Sequence, residues 1–476
     1  MRRSRLPFFI LAFLAMFLAG RAGAQAAPGA LAAAEPSALI LQGTVVGPDG
    51  APVADARVDV RLQGANDDVT FGDTTTDVDG KFALLGLGLA PEHYAVHASA
   101  PNLDPAEQPF AIDKAGHASV TTFTLKLGTA KKARGGPTEG YTVVKVYYAT
   151  DRKPEPGSAS QSGGAVLDYA GERAANGAVS YGAVDVSIPP NHRFAERELP
   201  SIWRLEFHAD PEKHMTLLSV STEPKDRFFQ DVAGSVGSSP GKEAFVFVHG
   251  YNVSFQGAAI RTAQLAYDFG FKGAPIFYSW PSRARLIGYE DDEKTVTQST
   301  EDLRQFLQDV ANRSGATVIH LIAHSMGNRA FLPAVAELAG DRTFKNFGKF
   351  QNIVLAAPDV DADVFTKWVT QIKKANTPVT LYVSDRDQAL LISHTFFNSQ
   401  VRAGQGGANA LVIPGVDTID VSKVSMDALG HTYYGDNPDV VNDLLAFLKG
   451  KAAPRTGLTK VPEGALAYWL MNPPPG

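Results

Sequence analysis

Two textures of hydrophobic patterning divide the chain. From Leu39, apolar and polar residues alternate. "LILQGTVVGPDGAPVADARVDVRLQG" sets such residues on either side of the turn "PDGAP". "TTTDVDGKFALLGL" repeats the pattern around Asp79-Gly80, which reads as a hairpin turn. "EHYAVHASA" and "SVTTFTLKL" add two more short alternating strands. Alternation sends every second side chain to one face of a sheet. Short strands with regular turn signals therefore predict a small all-β sandwich over residues 39–127. "GTAKKARGGPTEG" (128–140) breaks the pattern and reads as a linker.

The second texture covers residues 141–450. Strand-like "TVVKVYYAT", "GAVDVSIPP", "SIWRLEF" and "MTLLSVS" come first. From residue 243, buried strands alternate with helices: "EAFVFVHG", "APIFYSW", "TVIHLIAH", "NIVLAAP", "PVTLYVS" and "ALVIPG" are the strands. In the helix "STEDLRQFLQDVANRSG", Leu303, Phe306, Leu307 and Val310 share one face, and Ser299 with Asp302 reads as a capping pair. Alternating strand-helix units predict the α/β class, a mostly parallel sheet covered by helices on both faces. The leading strands suit an α/β-hydrolase sheet. The tail (451–476), with "GALAYWLMNPPPG", reads as a strap on the domain surface.

Composition narrows the setting. Basic "MRRSR", an apolar run over 8–20 and the A-x-A site at Ala22 and Ala24 read as a signal peptide (1–24), followed by a flexible leader (25–38). The apolar run is shorter than the roughly 20 residues a membrane-spanning helix needs. The expectation is an exported chain, periplasmic or secreted after cleavage near Ala24, with no integral membrane segment when mature. The absence of cysteine excludes disulfides, zinc-thiolate sites and a cysteine nucleophile. A net charge of −6, without a concentrated basic face, argues against a nucleic-acid partner.

The candidate chemistry centres on "LIAHSMGNRA" (321–330). Ser325 stands between a predicted strand and a predicted helix, with small residues two before (Ala323) and two after (Gly327). Such a junction forces a nucleophile into an exposed, strained turn. "VFVHGYNVSF" (246–255) ends the first strand of the alternating series, where a second oxyanion donor is needed. The backbone amides of Met326 and Tyr251 are the candidates, and His249 reads as a brace for that loop. The acid should follow a later strand. Asp387 in "TLYVSDRDQAL" is favoured by position, with Asp361, Asp385 and Asp359 as alternatives. The base should come last, and His431 in "MDALGHTYYGD" fits, while its competitor His394 follows the acid too closely in an apolar run. Trp280 and Tyr289 are candidate pocket residues, since "PSRARLIGYEDDEKTVTQ" (281–298) follows a strand's C-terminal end. This chemistry calls for no metal and no cofactor.

Two resemblances accompany this reading. "GTVVGPDGAPVADARVDV" followed by "TDVDGKFAL" resembles the carboxypeptidase regulatory-like family of prealbumin-type sandwiches. "YYATDRKP", "VSIPPNHRFAERELP", "FVFVHGYNVSFQGAAIRTAQLAYDFGF", "FYSWPS", "LIAHSMGNR", "VLAAPDVDADVF", "LYVSDRDQAL" and "GHTYY" occur in this order. Together they resemble a bacterial α/β-hydrolase family catalogued as a domain of unknown function, number nine hundred in its series. That resemblance implies an esterase- or lipase-like serine hydrolase, with Ser325 as nucleophile, Asp387 as acid and His431 as base. A small-molecule or polymeric ester is the expected substrate. A peptidase, amidase or thioesterase would use the same triad, and a binding protein retaining the fold is a further alternative. For the sandwich, contact with glycan or the cell envelope is an open role.

Overall fold

The computed structural model describes residues 40–472, apart from 55, 63–69, 86–88, 90, 101–102, 105, 115, 130–139, 157–166, 200–209, 284–288, 386–400 and 425–432. The segment read as a signal peptide and the expected strand "SIWRLEF" lie outside the described residues. The chain divides into two compact units, one of residues up to Lys131 and the other holding most residues from Lys132 onward.

The first unit is a β-rich domain of two main sheets and one small two-stranded pair. Its strands are β1 (Ile40–Val46), β2 (Arg57–Leu62), β3 (Thr70–Thr75), β4 (Lys81–Leu85), β5 (His93–Ser99), β6 (Leu103–Asp104), β7 (Ala106–Ala111), β8 (Thr122–Lys126) and β9 (Gly128–Thr129). One sheet runs β4-β1-β8 and the other β3-β2-β5-β7. The period-two residues Leu41 and Val45, Val58 and Val60, Tyr94 and Val96, and Phe123 and Leu125 meet in one buried cluster. Each side chain so buried contributes roughly 1.5–3 kcal/mol. Asp79-Gly80 does form a turn, with Gly80 at φ 71°. Asp77 Oδ1 closes it by accepting from Asp79 N at 2.9 Å and Lys81 N at 2.8 Å. The turn is not a hairpin, however. Its flanking strands β3 and β4 belong to opposite sheets, so it is a corner between them. Strand pairing also continues past residue 127, since β6 pairs with β9.

The second unit is built on an eleven-stranded mixed sheet. In chain order its elements are β10 (Thr142–Thr150), the small pair β11 (Arg152–Pro156) and β12 (Leu167–Arg173), β13 (Ser180–Ile188), β14 (Leu217–Glu223), α1 (Lys225–Ser238), β15 (Glu243–Val248), α2 (Phe255–Asp268) and β16 (Ala274–Ser279). Then come α3 (Tyr289–Gln298), α4 (Thr300–Arg313), β17 (Val318–His324), α5 (Asn328–Gly340), β18 (Phe350–Ala356), α6 (Ala362–Lys373), β19 (Val379–Val383) and β20 (Val416–Asp420). The short α7 (Tyr433–Asp436), α8 (Pro438–Leu448), β21 (Leu458–Glu463) and β22 (Leu466–Met471) close the chain. The sheet order is β14-β13-β10-β16-β15-β17-β18-β19-β20-β22-β21. Strands from β10 through β16, β15 and on to β20 and β22 run parallel to their neighbours. Helices cover both faces, which is why β16 is buried at every position and reads as a continuous apolar run.

The inversion of β15 and β16 positions the site. It leaves β15 between β16 and β17, and the last pair in the β15–β17 register is Val248 with Ala323. The loops that follow these two strands therefore leave the sheet side by side at its C-terminal edge, where open α/β sheets bind ligands.

Three sequence expectations need correction. "ALVIPG" is not a strand; the strand is Val416–Asp420, just beyond it. Ser299 has helical dihedrals and makes no cap, and its hydroxyl instead donates to Asp151 Oδ2 at 2.7 Å. The tail is not a surface strap, because β22 pairs with β20 and β21 with β22, extending the sheet. Among the described residues, no helix is long and apolar enough to cross a membrane.

Candidate active site

Ser325 opens a single 3-10 turn that joins β17 to α5. Its φ is 49°, a left-handed conformation that costs a non-glycine residue roughly 1–3 kcal/mol and persists only where the surroundings impose it. Those surroundings are specific. The carbonyl of Ser325 accepts from Asn328 Nδ2 at 3.0 Å and from the backbone N–H of Asp359 at 3.3 Å. A Cβ on Gly327 would stand 2.2 Å from the carbonyl oxygen of His249. A Cβ on Gly250 would stand 2.8 Å from Ser325 Cβ. Only hydrogen fits at either position, so the turn after β15 and the turn after β17 touch backbone to backbone. Tyr251 and Met326, the candidate oxyanion donors, each follow one of the residues in that contact.

The turn after β15 is braced from behind. His249 Nδ1 lies 2.8 Å from the Gly250 carbonyl, and its Nε2 lies 3.3 Å from Arg152 Nη2 and 3.1 Å from Ser279 Oγ. The ring stacks on Trp280 at 5.1 Å, and the indole N–H donates to the His249 carbonyl at 2.7 Å. Burial, reinforced by the Arg152 charge, holds the His249 pKa well below that of a free histidine. His249 is thus a neutral brace, as its position in the sequence implied. Trp280 is fully buried. The structure moves it from pocket wall to core.

Arg152, which follows the strand in "YYATDR", escaped sequence reasoning. It is fully buried, and burial pulls its pKa down to about 10, leaving it a cation at neutral pH. Its Nε donates to Ser279 Oγ at 2.8 Å, Nη1 to the carbonyls of Ala170 at 3.1 Å and Ser282 at 2.8 Å, and Nη2 to the carbonyl of Val253 at 2.8 Å. The only available signal was an arginine placed two residues past an apolar strand.

Tyr289 sits in a second buried network. Its hydroxyl donates to Asp359 Oδ2 and accepts from Arg329 Nη2 at 2.7 Å, while its ring lies 5.5 Å from that of Tyr251. Arg329 also donates to the Asp359 carbonyl at 2.7 Å and to Glu293. Asp359 faces Arg402 Nε at 3.3 Å, and Asp361, at the head of α6, pairs with Arg402 Nη1. Two of the alternative acids are therefore held by arginines. Asp385 is exposed, and its backbone N–H donates to Ser422 Oγ at 2.9 Å. Asp387, His394 and His431 lie outside the described residues.

Residues 225–447 match the family model described as an alpha/beta hydrolase of unknown function (DUF900), and residues 40–126 match that of the carboxypeptidase regulatory-like domain. No curated protein matches the chain by sequence. Among solved structures, the 3-chlorocatechol 1,2-dioxygenase of Rhodococcus opacus 1CP overlays at 17% identity and a TM-score of 0.15, with 20% of this chain and 60% of that chain covered. This chain thus spans under two thirds of that enzyme. The Pyrococcus furiosus esterase Pf2001 overlays at 13% identity and a TM-score of 0.28, covering 45% of this chain and 84% of the esterase. The phospholipase PlaB of Legionella pneumophila overlays at 12% identity and a TM-score of 0.27, covering 48% and 68%. Each overlap is partial, and none bears on the role of a residue.

Proposed function

We propose, for a chain that joins an α/β-hydrolase domain of this family to a carboxypeptidase regulatory-like domain, that it is an exported serine hydrolase cleaving carboxylic esters. His431 takes the Ser325 proton as the hydroxyl attacks the ester carbonyl, and Asp387 orients the imidazole and stabilises its charged form. The amides of Met326 and Tyr251 hold the oxyanion, the alcohol leaves, and water releases the acyl group from Ser325. The observation that carries this reading is Ser325 itself. It is a left-handed non-glycine residue at a strand-to-helix turn, pressed against the turn after β15 through two glycines that admit no side chain. Engagement of Asp359 and Asp361 by Arg402 supports Asp387 as the acid. The segment 1–24 directs export, and the sandwich contributes contact with glycan or the cell envelope.

Hydrolysis of a graded panel of p-nitrophenyl esters, amides and thioesters by the wild-type protein, Ser325→Ala and His431→Ala tests the reading. Ester turnover lost in both variants supports it. Turnover that survives in Ser325→Ala, or amide turnover exceeding ester turnover, overturns it.

A further inference from the structure

The planarity of one peptide bond links Arg152 to the oxyanion site. Arginine has donors only, so the His249 nitrogen facing it, Nε2, must accept and carries no proton. The proton is therefore on Nδ1, which donates to the Gly250 carbonyl at 2.8 Å. That carbonyl belongs to the same trans peptide unit as the Tyr251 N–H. In a trans peptide C=O and N–H point to opposite sides, so fixing one aims the other. The same guanidinium holds the far end of the turn through the Val253 carbonyl at 2.8 Å. The stacked Trp280 ring prevents His249 from tilting away.

We infer that Arg152 is the positioning residue of the oxyanion site: through the His249 tautomer it imposes, it sets the Gly250–Tyr251 peptide so that the Tyr251 amide faces the developing oxyanion. This rests on the serine-hydrolase reading and adds a residue to it. The partners of Arg152 make the assignment specific. Among the described residues it donates to carbonyls, a hydroxyl and an imidazole, and to no carboxylate. The carboxylates of Asp292, Asp151 and Asp168 act on its charge only through space, and a sealed cation that no carboxylate bonds directly is unfavourable for folding. Here its positive charge also lies behind the turn on which negative charge would develop. Without Arg152, Nε2 is free to take the proton. Nδ1 then faces the carbonyl with a lone pair, and the peptide rotates.

The test uses the full-length protein and p-nitrophenyl butyrate, with rates per active site from titration with a fluorophosphonate. Arg152→Lys keeps a cation but not the fork of donors, and Arg152→Met removes both. The inference predicts a kcat fall of about 10- to 100-fold in both, approaching the loss of one oxyanion donor. KM should stay within about twofold, and affinity for a boronate that forms a tetrahedral adduct should fall in parallel with kcat. If either arginine variant fails to fold, the pair His249→Asn and His249→Gln gives an independent reading. Asparagine places an N–H where Nδ1 was, so it should retain most of kcat, whereas glutamine should not. Wild-type kcat in Arg152→Met, equal kcat in the two His249 variants, or boronate affinity unchanged while kcat falls would overturn the inference with the hydrolase reading intact. A wild-type protein that neither turns over ester nor takes the fluorophosphonate would overturn both.

Discussion

Arg152 and Arg455 are both sealed inside the hydrolase domain, and they keep opposite company. Arg455 grips Asp443 with two bonds, Nε to Oδ1 at 2.7 Å and Nη2 to Oδ2 at 3.0 Å, and Asp443 also accepts from Tyr382 at 2.6 Å. Burial alone would lower the Arg455 pKa, but the Asp443 carboxylate outweighs it and raises it. This closed pair joins the tail to α8 and to β19 inside the sheet. Among the described residues no carboxylate bonds Arg152 directly, and it stands behind the turn that meets Ser325. The difference separates a charge placed for folding from one placed for geometry. Strain is distributed the same way. Of six non-glycine residues with positive φ among the described residues, Ser325 and Ala357 follow β17 and β18 directly, and Asn252 lies in the turn after β15. Tension that costs stability is gathered where the reaction is assigned.

The comparison breaks most plainly at the nucleophile. Ser325→Ala should lower kcat by roughly 10⁶, with the melting temperature little changed, because alanine keeps the Cβ and with it the left-handed strain. Asp387→Asn should lower kcat by roughly 10⁴ through the wrong histidine tautomer, while Asp361→Asn leaves it unchanged. The reverse pattern, read from steady-state rates, would move the acid to Asp361. Arg455→Met should behave inversely, costing about 3–5 kcal/mol by leaving Asp443 buried and unpaired. Its kcat per titrated site should hold, and urea unfolding gives the first number. A smaller effect is expected from Gly327→Ala, whose added carbon meets the His249 carbonyl at 2.2 Å. Displacement of that turn should cost about 1–3 kcal/mol and lower kcat as well.

The smallest effect lies away from both arginines. Burial alone would depress His192, but the carboxylates of Asp268, 2.9 Å from Nε2, and Glu198, 2.8 Å from Nδ1, raise its pKa to about 9. A pKa raised on folding contributes stability fully below the unfolded value of about 6.5, lost as pH climbs through 9. The melting temperature should therefore decline between pH 6.5 and 9, and His192→Gln should flatten that decline. An unchanged slope in the variant would assign the decline to other groups.

What the sequence exposed, and what it hid, follows from the range of each interaction. The strand-to-helix turn at Ser325 was readable because local features specify it: a period change from strand to helix, and small residues at Ala323 and Gly327. The doubly covered strands were readable as apolar runs. β20 was not, because its polar residues are matched by partners outside the strand: Asp417 faces Arg455, and Asp420 accepts from Gly407 N and from Ser422 N. An alternating "VDTID" therefore looked less like core than the apolar "ALVIPG" before it. β21 was masked by Pro462, tolerated because an edge strand can spare an N–H. Ser299 showed a capping spacing, but Asp151, far away in the chain, claims its hydroxyl. Arg152 was hidden for the same reason, since every group that defines its role comes from another segment.

The most direct test of the account is peptide mapping of the full-length protein after reaction with a fluorophosphonate. The account predicts one adduct per chain, on the peptide containing Ser325, and none in His431→Ala. An adduct on another serine, or none on folded wild-type protein, would contradict it.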